Sequence, residues 1–401
     1  MSVFPAPDER ANPYPFYASM REKNAVAHDP KQGFWSVFHY GDVKQVLSDY
    51  EAFSSEFRKM RGARLGAEAM AQGPNLGSSL IGSDPPRHRH LRDLISRAFT
   101  PRAVANMELR IAAIADEMLN KVAKQGHMDL VADLSDPLPV IVIAEMLGVP
   151  SEDRVQFKRW SDQVVGGSDN LFQESPPAGV RPSEAAMKEM SAYFRSIIDD
   201  RRMQPRDDLI SELVSAEIEG QRLSEEDLLS FCMLLLIAGN VTTTNLVTNA
   251  VLCFLRYPEE LERLRANPAL LPSAIEEVLR FESPVQAMAR ITTRDVTLSD
   301  RTIPAGERVI AWIGSANRDG AHFDEPDRFD VARSPNPHIA FGYGLHYCIG
   351  APLARLEAKV ALGAMLERFD AIKLATPEPL EATKGFILHG WQNVPLQFAL
   401  R

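Results

Sequence analysis

The sequence predicts a mainly α fold with a small β part, on three observations. Hydrophobic periodicity is helical almost continuously from about 84 to 264. One stretch in that region, opening at Ser224, is long enough to cross a whole molecule. After Arg290 the period shortens to that of strands and hairpins.

Taken in order, the first strand signal is Phe34–Phe38, followed by a helical stretch from Gly41 to Leu47. Val104–Val122, Asp136–Leu147 and Glu184–Arg202 each read as a helix. The long helix starts at Ser224, with Asp227 as its capping-box partner, and runs until Pro258 blocks it. Its positions 225–257 would span about 50 Å. Beyond Arg290, ITTRDVTL, RTIP and ERVIAWIG read as short strands, separated by turns at Ser299–Asp300 and at the PAG of 304–306. A final helix is expected over 351–369, and a hairpin from Phe386 to Phe398. Gly166–Pro182, rich in Gly, Ser and Pro, reads as a lid loop. No linker interrupts the chain, so 1–401 reads as one domain. Its β-rich part comes from about 12–60 and 290–401, and its helical part from about 84–285.

Composition narrows the function. The 401 residues are 45% hydrophobic and 24% charged, with a net charge of −10. An acidic surplus argues against a nucleic-acid partner. The N-terminal MSVFPAPDERANPYPFY lacks the basic and then apolar pattern of a signal peptide. The most apolar run, Cys232 to Gly239, falls short of the roughly 20 residues a bilayer demands. A cytoplasmic protein without a membrane anchor is expected.

Cys232, Cys253 and Cys348 are too few and too scattered for a disulfide framework or a zinc cluster. The first two lie in apolar helical stretches and read as small buried hydrophobes. Cys348 sits among glycines, in Phe341-Gly342-Tyr343-Gly344-Leu345-His346-Tyr347-Cys348-Ile349-Gly350, just ahead of a helix. Free backbone N–H groups and the dipole at a helix start favour a thiolate. Gly342 and Gly344 let a flat ligand approach closely. Zinc would need about four ligands, and His346 with Cys348 supplies two. A cysteine hydrolase would need a base, and no remaining histidine shows a recognisable spacing. A thiolate held to haem iron, pushing electron density onto it, is the leading reading of the loop.

FGYGLHYCIG resembles the haem-binding signature of the cytochromes P450, and the resemblance extends from about Asn12 to Leu400. It implies the cytochrome P450 fold, with a long central helix over a buried haem b, and Cys348 as the metal ligand. It also implies a monooxygenase that inserts one oxygen atom of O2 into a hydrophobic small molecule, by hydroxylation or epoxidation. Glu277 and Arg280, three apart on one helix face, resemble the family's Glu-x-x-Arg pair, whose third member is matched by Arg328 in EPDRFD. A buried haem carries two propionates, and four residues match the family's donors to them: His88, Arg92, Arg290 and His346.

On the oxygen side, Ala238-Gly239-Asn240-Val241-Thr242-Thr243 resembles the family motif in the long helix, placing Thr242 as the threonine that assists oxygen activation. Val241 departs from the motif, which has Asp or Glu there. Valine relays no protons, so Thr242 with water, or Asn240, is left to substitute. The departure also keeps open a hydrogen-peroxide-dependent peroxygenase on the same scaffold, beside a haem-binding protein without turnover.

By position, the substrate is expected to meet Leu80, Ile81, Leu235, Ala238, Val285, Met288, Ala289, Ile387 and Leu388, nearly all apolar. Electrons from NAD(P)H would arrive through a ferredoxin or flavodoxin-type donor with its reductase. A docking patch for that donor is expected at Arg87, Arg89, Arg92, Arg97 and Arg102.

Overall fold

A computed structural model describes residues 3–59, 79–165, 184–376 and 379–401. The loop expected at Gly166–Pro182 lies outside them. The architecture is the expected one, mainly helical with small sheets.

The long helix spans Glu225–Arg256. Ser224 caps it reciprocally with Asp227, the side chain of each taking the other's backbone N–H. It stops one residue before Tyr257 because Pro258 has no N–H to continue the ladder. By length and mean hydropathy it resembles a bilayer span, yet 67% of its most apolar window is buried inside the protein. Helices Pro137–Met146, Glu184–Met203, Leu271–Phe281 and Ala351–Arg368 pack around it, so its apolar surface has protein on nearly every side.

Strands from both ends of the chain share one sheet, in the order Val26–Asp29, Phe34–Val37, Arg308–Trp312, Ala287–Thr292, Phe53–Ser54. Phe34–Val37 lies parallel to Arg308–Trp312, and the other pairings are antiparallel. Two expected elements differ. Val104–Val122 is two helices, Pro101–Asn106 and Glu108–Ala123, meeting at Met107. Thr100 caps the first by accepting from the Ala103 N–H, so the chain starts a helix three residues before the periodicity does. Phe386–Phe398 is not a hairpin. Only Pro395–Leu400 is a strand, and it lies between Phe369–Leu374 and His127–Asp129. Those partners are distant in sequence, and local alternation cannot reveal them.

Helix Leu271–Phe281 carries the buried charge that locks the cysteine-side loops. Glu277 and Arg280 are both fully buried and bonded twice, at 2.7 and 2.8 Å. The third member is Arg333 rather than Arg328. Arg333 donates Nε to Glu277 Oε1 at 3.0 Å, and its other nitrogens reach the carbonyls of Asp324, Glu325 and Arg328. The Arg328 side chain turns outward to Glu325, and only its carbonyl joins the lock, accepting from Arg280 and Arg333. The chain needs five more residues after Arg328 to double back onto Glu277. Asn336 Nδ2 and the Asp330 N–H complete the carboxylate's shell. Removing one partner of such a buried pair is strongly destabilising. Arg333→Ala is therefore expected to lower stability by about 3–5 kcal/mol, read as a fall in Tm, while Arg328→Ala leaves Tm near the wild-type value. The reverse order would return the lock to Arg328.

Candidate haem and substrate site

A cleft with about 1420 Å³ of void space, mouth included, opens between the long helix and the Cys348 loop. The long helix contributes one face of side chains, from Phe231 through Leu235, Ala238 and Thr242 to Leu246, at helical spacing. The cysteine loop contributes Phe341–Tyr343 and His346–Gly350, and the helix behind it adds Leu353, Ala354 and Glu357. His88 and Arg92 enter from helix Arg87–Ala98, one turn apart on its inner face. Met288 and Arg290 enter from the strand Ala287–Thr292.

Local folding explains the loop. Gly342 and Gly344 both take positive φ, at 74° and 73°. A Cβ on Gly344 would also lie 3.0 Å from Ser48 Cα, so the loop packs against helix Tyr40–Ser48 only with glycine there. The Cys348 N–H donates to the Phe341 carbonyl at 2.9 Å, closing the loop on itself. Burial pushes the Cys348 thiol up. The N–H groups of Gly350 and Ala351 and the charges of Arg92 and Arg355 pull the other way. A thiol raised in this way is a poor hydrolase nucleophile. The loop is tied to the buried core by charges that the sequence did not reveal. Arg355 grips Glu276 at 2.7 and 2.8 Å, and His338 bonds the same carboxylate at 3.0 Å. Burial opposes ionisation of Glu276, yet these bonds bring its acid down to about 2.

The other end of the cleft is cationic and short of partners. Arg290 is buried, and among the described residues its guanidinium donates only to the Ala289 carbonyl, at 2.8 Å. Burial lowers it to about 10. Neither Arg290 nor Arg92 is paired with a carboxylate among the described residues. His88 is fully buried, and neither ring nitrogen has a hydrogen-bond partner among the described residues. Its ring lies 4.2 Å from that of His346, whose Nε2 bonds Ser55 at 3.0 Å. Burial, then neighbouring arginines, lowers His88 to about 4 and His346 to about 3, so both are neutral at physiological pH. Behind them lies a carboxylate that sequence reading missed, Asp84. Burial resists its charge, but bonds from Lys59, Ser54 and Ser55 hold it below the usual carboxylate range.

An apolar slot with sulfur at its centre, and at its edge two arginines that no carboxylate among the described residues pairs with, fits a flat, apolar, dianionic ligand. The orphaned His88 nitrogens fit it too, because a buried polar group needs a partner. All four expected propionate donors, with Cys348 and Thr242, line this one cleft.

Six of the nine expected substrate contacts lie on its wall: Leu80, Ile81, Leu235, Ala238, Val285 and Met288. Three do not. Ala289 alternates with Met288 and Arg290 along its strand and faces the other side. Leu388 bridges Val285 from behind, and Ile387 gives its carbonyl to the Gln286 N–H. Phe231 and Leu246 were missed, although the helical spacing through Leu235 and Thr242 contains them. Val241 is half-buried and off the wall, as is Asn240, which lies buried against Thr244. The Thr242 hydroxyl donates back to the Ala238 carbonyl at 2.7 Å. The expected arginine patch is largely spent. Arg87 pairs with Asp227, Arg97 donates to the Glu217 carbonyl, Arg89 to Tyr50, and Arg92 faces inward.

The chain is similar to known proteins over nearly its whole length. The Cytochrome P450 family profile matches residues 27–393. The putative cytochrome P450 YjiB of Bacillus subtilis is 44% identical over 92% of this chain and 90% of its own. The cyclomarin C epoxidase CymV of Salinispora arenicola is 43% identical over 88% of each chain. The crystal structure of CYP109E1 from Bacillus megaterium with testosterone is 41% identical, with a TM-score of 0.85 over 96% of this chain and 99% of that one. The chain belongs to the cytochrome P450 family.

Proposed function

We propose that, in this haem-thiolate monooxygenase, Cys348 ligates the iron of haem b while Arg92, Arg290, His88 and His346 receive the propionates. The observation that carries this reading is the juxtaposition in one apolar cleft of a half-buried sulfur, two arginines paired with no carboxylate among the described residues, and a buried histidine with no hydrogen-bond partner among them. Haem supplies an iron centre at which O2 is reduced, one oxygen atom passing to the substrate and the other leaving as water. The residues do the rest. The arginines give charge-assisted donors in a setting of low dielectric. The two histidines, held neutral, add N–H donors without further desolvated charge. Thr242 presents its hydroxyl on the long-helix wall, where it orders the dioxygen side. Phe231, Leu235, Leu246, Val285 and Met288 exclude water and accept a hydrophobic substrate.

The substrate is a hydrophobic small molecule, and a steroid is the first class to test, since the relative CYP109E1 binds testosterone. Its electrons come from NAD(P)H through a ferredoxin or flavodoxin-type donor with its reductase. With the arginines beside His88 engaged, that donor meets the surface of the cysteine loop, where Tyr343 and Tyr347 are exposed. We place the enzyme in the cytoplasm as one domain over 1–401, since its most apolar helix is consumed by its own core. A peroxide-driven reaction is not favoured.

Two experiments test these roles. The reduced carbon monoxide complex is expected to show the absorption of a thiolate ligand, and Cys348→His to replace it with a histidine-type spectrum; a histidine-type spectrum in the wild type would sink the assignment. Val241→Glu restores a carboxyl next to Thr242 and is expected to raise product formed per electron consumed, measured from product and NAD(P)H together. Unchanged coupling would mean that position 241 does not limit proton supply.

A further inference from the structure

Two walls of the cleft are joined, outside it, by one buried amide. The sheet-side wall is formed by Pro284, Val285 and Met288. Behind it runs the C-terminal segment 387–391. The Gln286 N–H donates to the Ile387 carbonyl at 2.6 Å and the His389 N–H to the Pro284 carbonyl at 2.9 Å, with Val285 and Leu388 as bridge partners between them. The two segments form one short antiparallel ribbon, so a force on either moves the wall.

Asn249 lies on the long helix, three residues beyond the wall residue Leu246, and is 1% exposed. Its Nδ2 donates to the carbonyls of Glu282 and His389, at 3.0 and 3.1 Å. Its Oδ1 accepts from Trp391 Nε1 at 3.2 Å. One side chain thus spends two donors and an acceptor on both halves of the ribbon. One helical turn earlier the ribbon is already flush with the helix, because a Cβ on Gly390 would overlap the Asn245 amide. That amide makes no bond to it, since Asn245 Nδ2 has no partner among the described residues. From the other side the Glu282 carboxylate grips the ribbon, accepting from His389 Nε2 at 2.9 Å and from Tyr14 and Arg256 at 3.0 Å each. Apolar packing would let such a ribbon slide along the helix, whereas hydrogen bonds hold donor and acceptor near 3 Å. A buried carbonyl left without its donor is costly.

We propose that Asn249 is a positioning residue that fixes the separation of the long-helix wall from the sheet-side wall, and with it the size of substrate the cleft admits. The proposal rests on the haem-thiolate reading above. Asn249 lines no part of the cleft itself and acts through Val285 and Met288. Without its amide, the Glu282 and His389 carbonyls face an apolar stretch of helix and turn away from it in search of donors. The ribbon then lifts from the helix and the cleft widens. Bulky ligands gain from that change, and small ones do not.

The test uses the haem-loaded protein, Asn249→Leu, which keeps bulk but has no polar side-chain atom, and two probes whose nitrogen ligates iron: imidazole and the triaryl azole clotrimazole. Each is titrated by its absorption shift. The preference for clotrimazole over imidazole is expected to rise roughly tenfold in the variant, the scale of one buried hydrogen bond. Imidazole affinity is expected to stay within about twofold, and the carbon monoxide spectrum to stay as in wild type. Trp391→Phe removes one of the three bonds and is expected to move the preference the same way by less. If Asn249→Leu does not fold, Asn249→Ser, too short to reach either carbonyl, carries the same expectation. A brace that served the fold alone would lower Tm and leave the preference unchanged, so an unchanged or reduced preference overturns the role of Asn249. A wild type in which neither azole shifts the absorption overturns the haem-thiolate reading, and this one with it.

Discussion

Everything on the cysteine side of the molecule depends on a carboxylate that never meets water. Glu277 accepts from Arg280, Arg333, Asn336 and the Asp330 N–H, and the two arginines spend their remaining donors on carbonyls of the loop from Asn317 to Arg328. Two charges of this kind are stable inside a protein only when every donor is used. The loop is thereby forced into one path, and it leads directly into the segment that presents Cys348. A second pair, Glu276 with Arg355 and His338, pins the helix that follows. The sulfur is thus held between two ionic clamps from one helix, Leu271–Phe281. This is a scaffold suited to fixing a ligand at a metal, where small displacements matter.

The oxygen side is built differently. Among the described residues, the long-helix side chains that line the cleft form no ion pair, and the small residue Gly239 brings the backbone close to Ile143 of the neighbouring helix. Packing there is apolar, so its polar groups are a few hydroxyls of the helix, Thr242 and Thr243 among them. The cleft's two sides therefore divide the work: charge networks position the sulfur, and water exclusion shapes the space for dioxygen and substrate.

Much of this was legible in the sequence, and the failures follow a pattern. The cysteine loop and the long helix with its Ser224–Asp227 cap are local signals, carried by spacing and cap chemistry, while His88, Arg92, Arg290 and His346 were named from the family resemblance. What escaped was non-local. Arg333 replaced Arg328 because the closing of a loop on Glu277 is not encoded at a fixed distance. Glu276 and Asp84 looked like ordinary acids until burial and their bonds gave them roles. Ala289 was misplaced by ignoring strand alternation, which its neighbours Met288 and Arg290 already declared. The C-terminal hairpin failed because Pro395–Leu400 takes partners from residues 127 and 369 onward.

The five-stranded sheet has a consequence for the order of assembly. Phe34–Val37 pairs with Arg308–Trp312, more than 270 residues away, and that strand in turn aligns the one carrying Arg290. Closing so long a loop is slow compared with forming helices from local contacts. The helical half is expected to collapse first, leaving the pocket open on its sheet side until the two ends of the chain meet. Capture of the prosthetic group is then expected in the last act of folding, and the cationic edge proposed to receive it is also the seam where the chain is sewn shut.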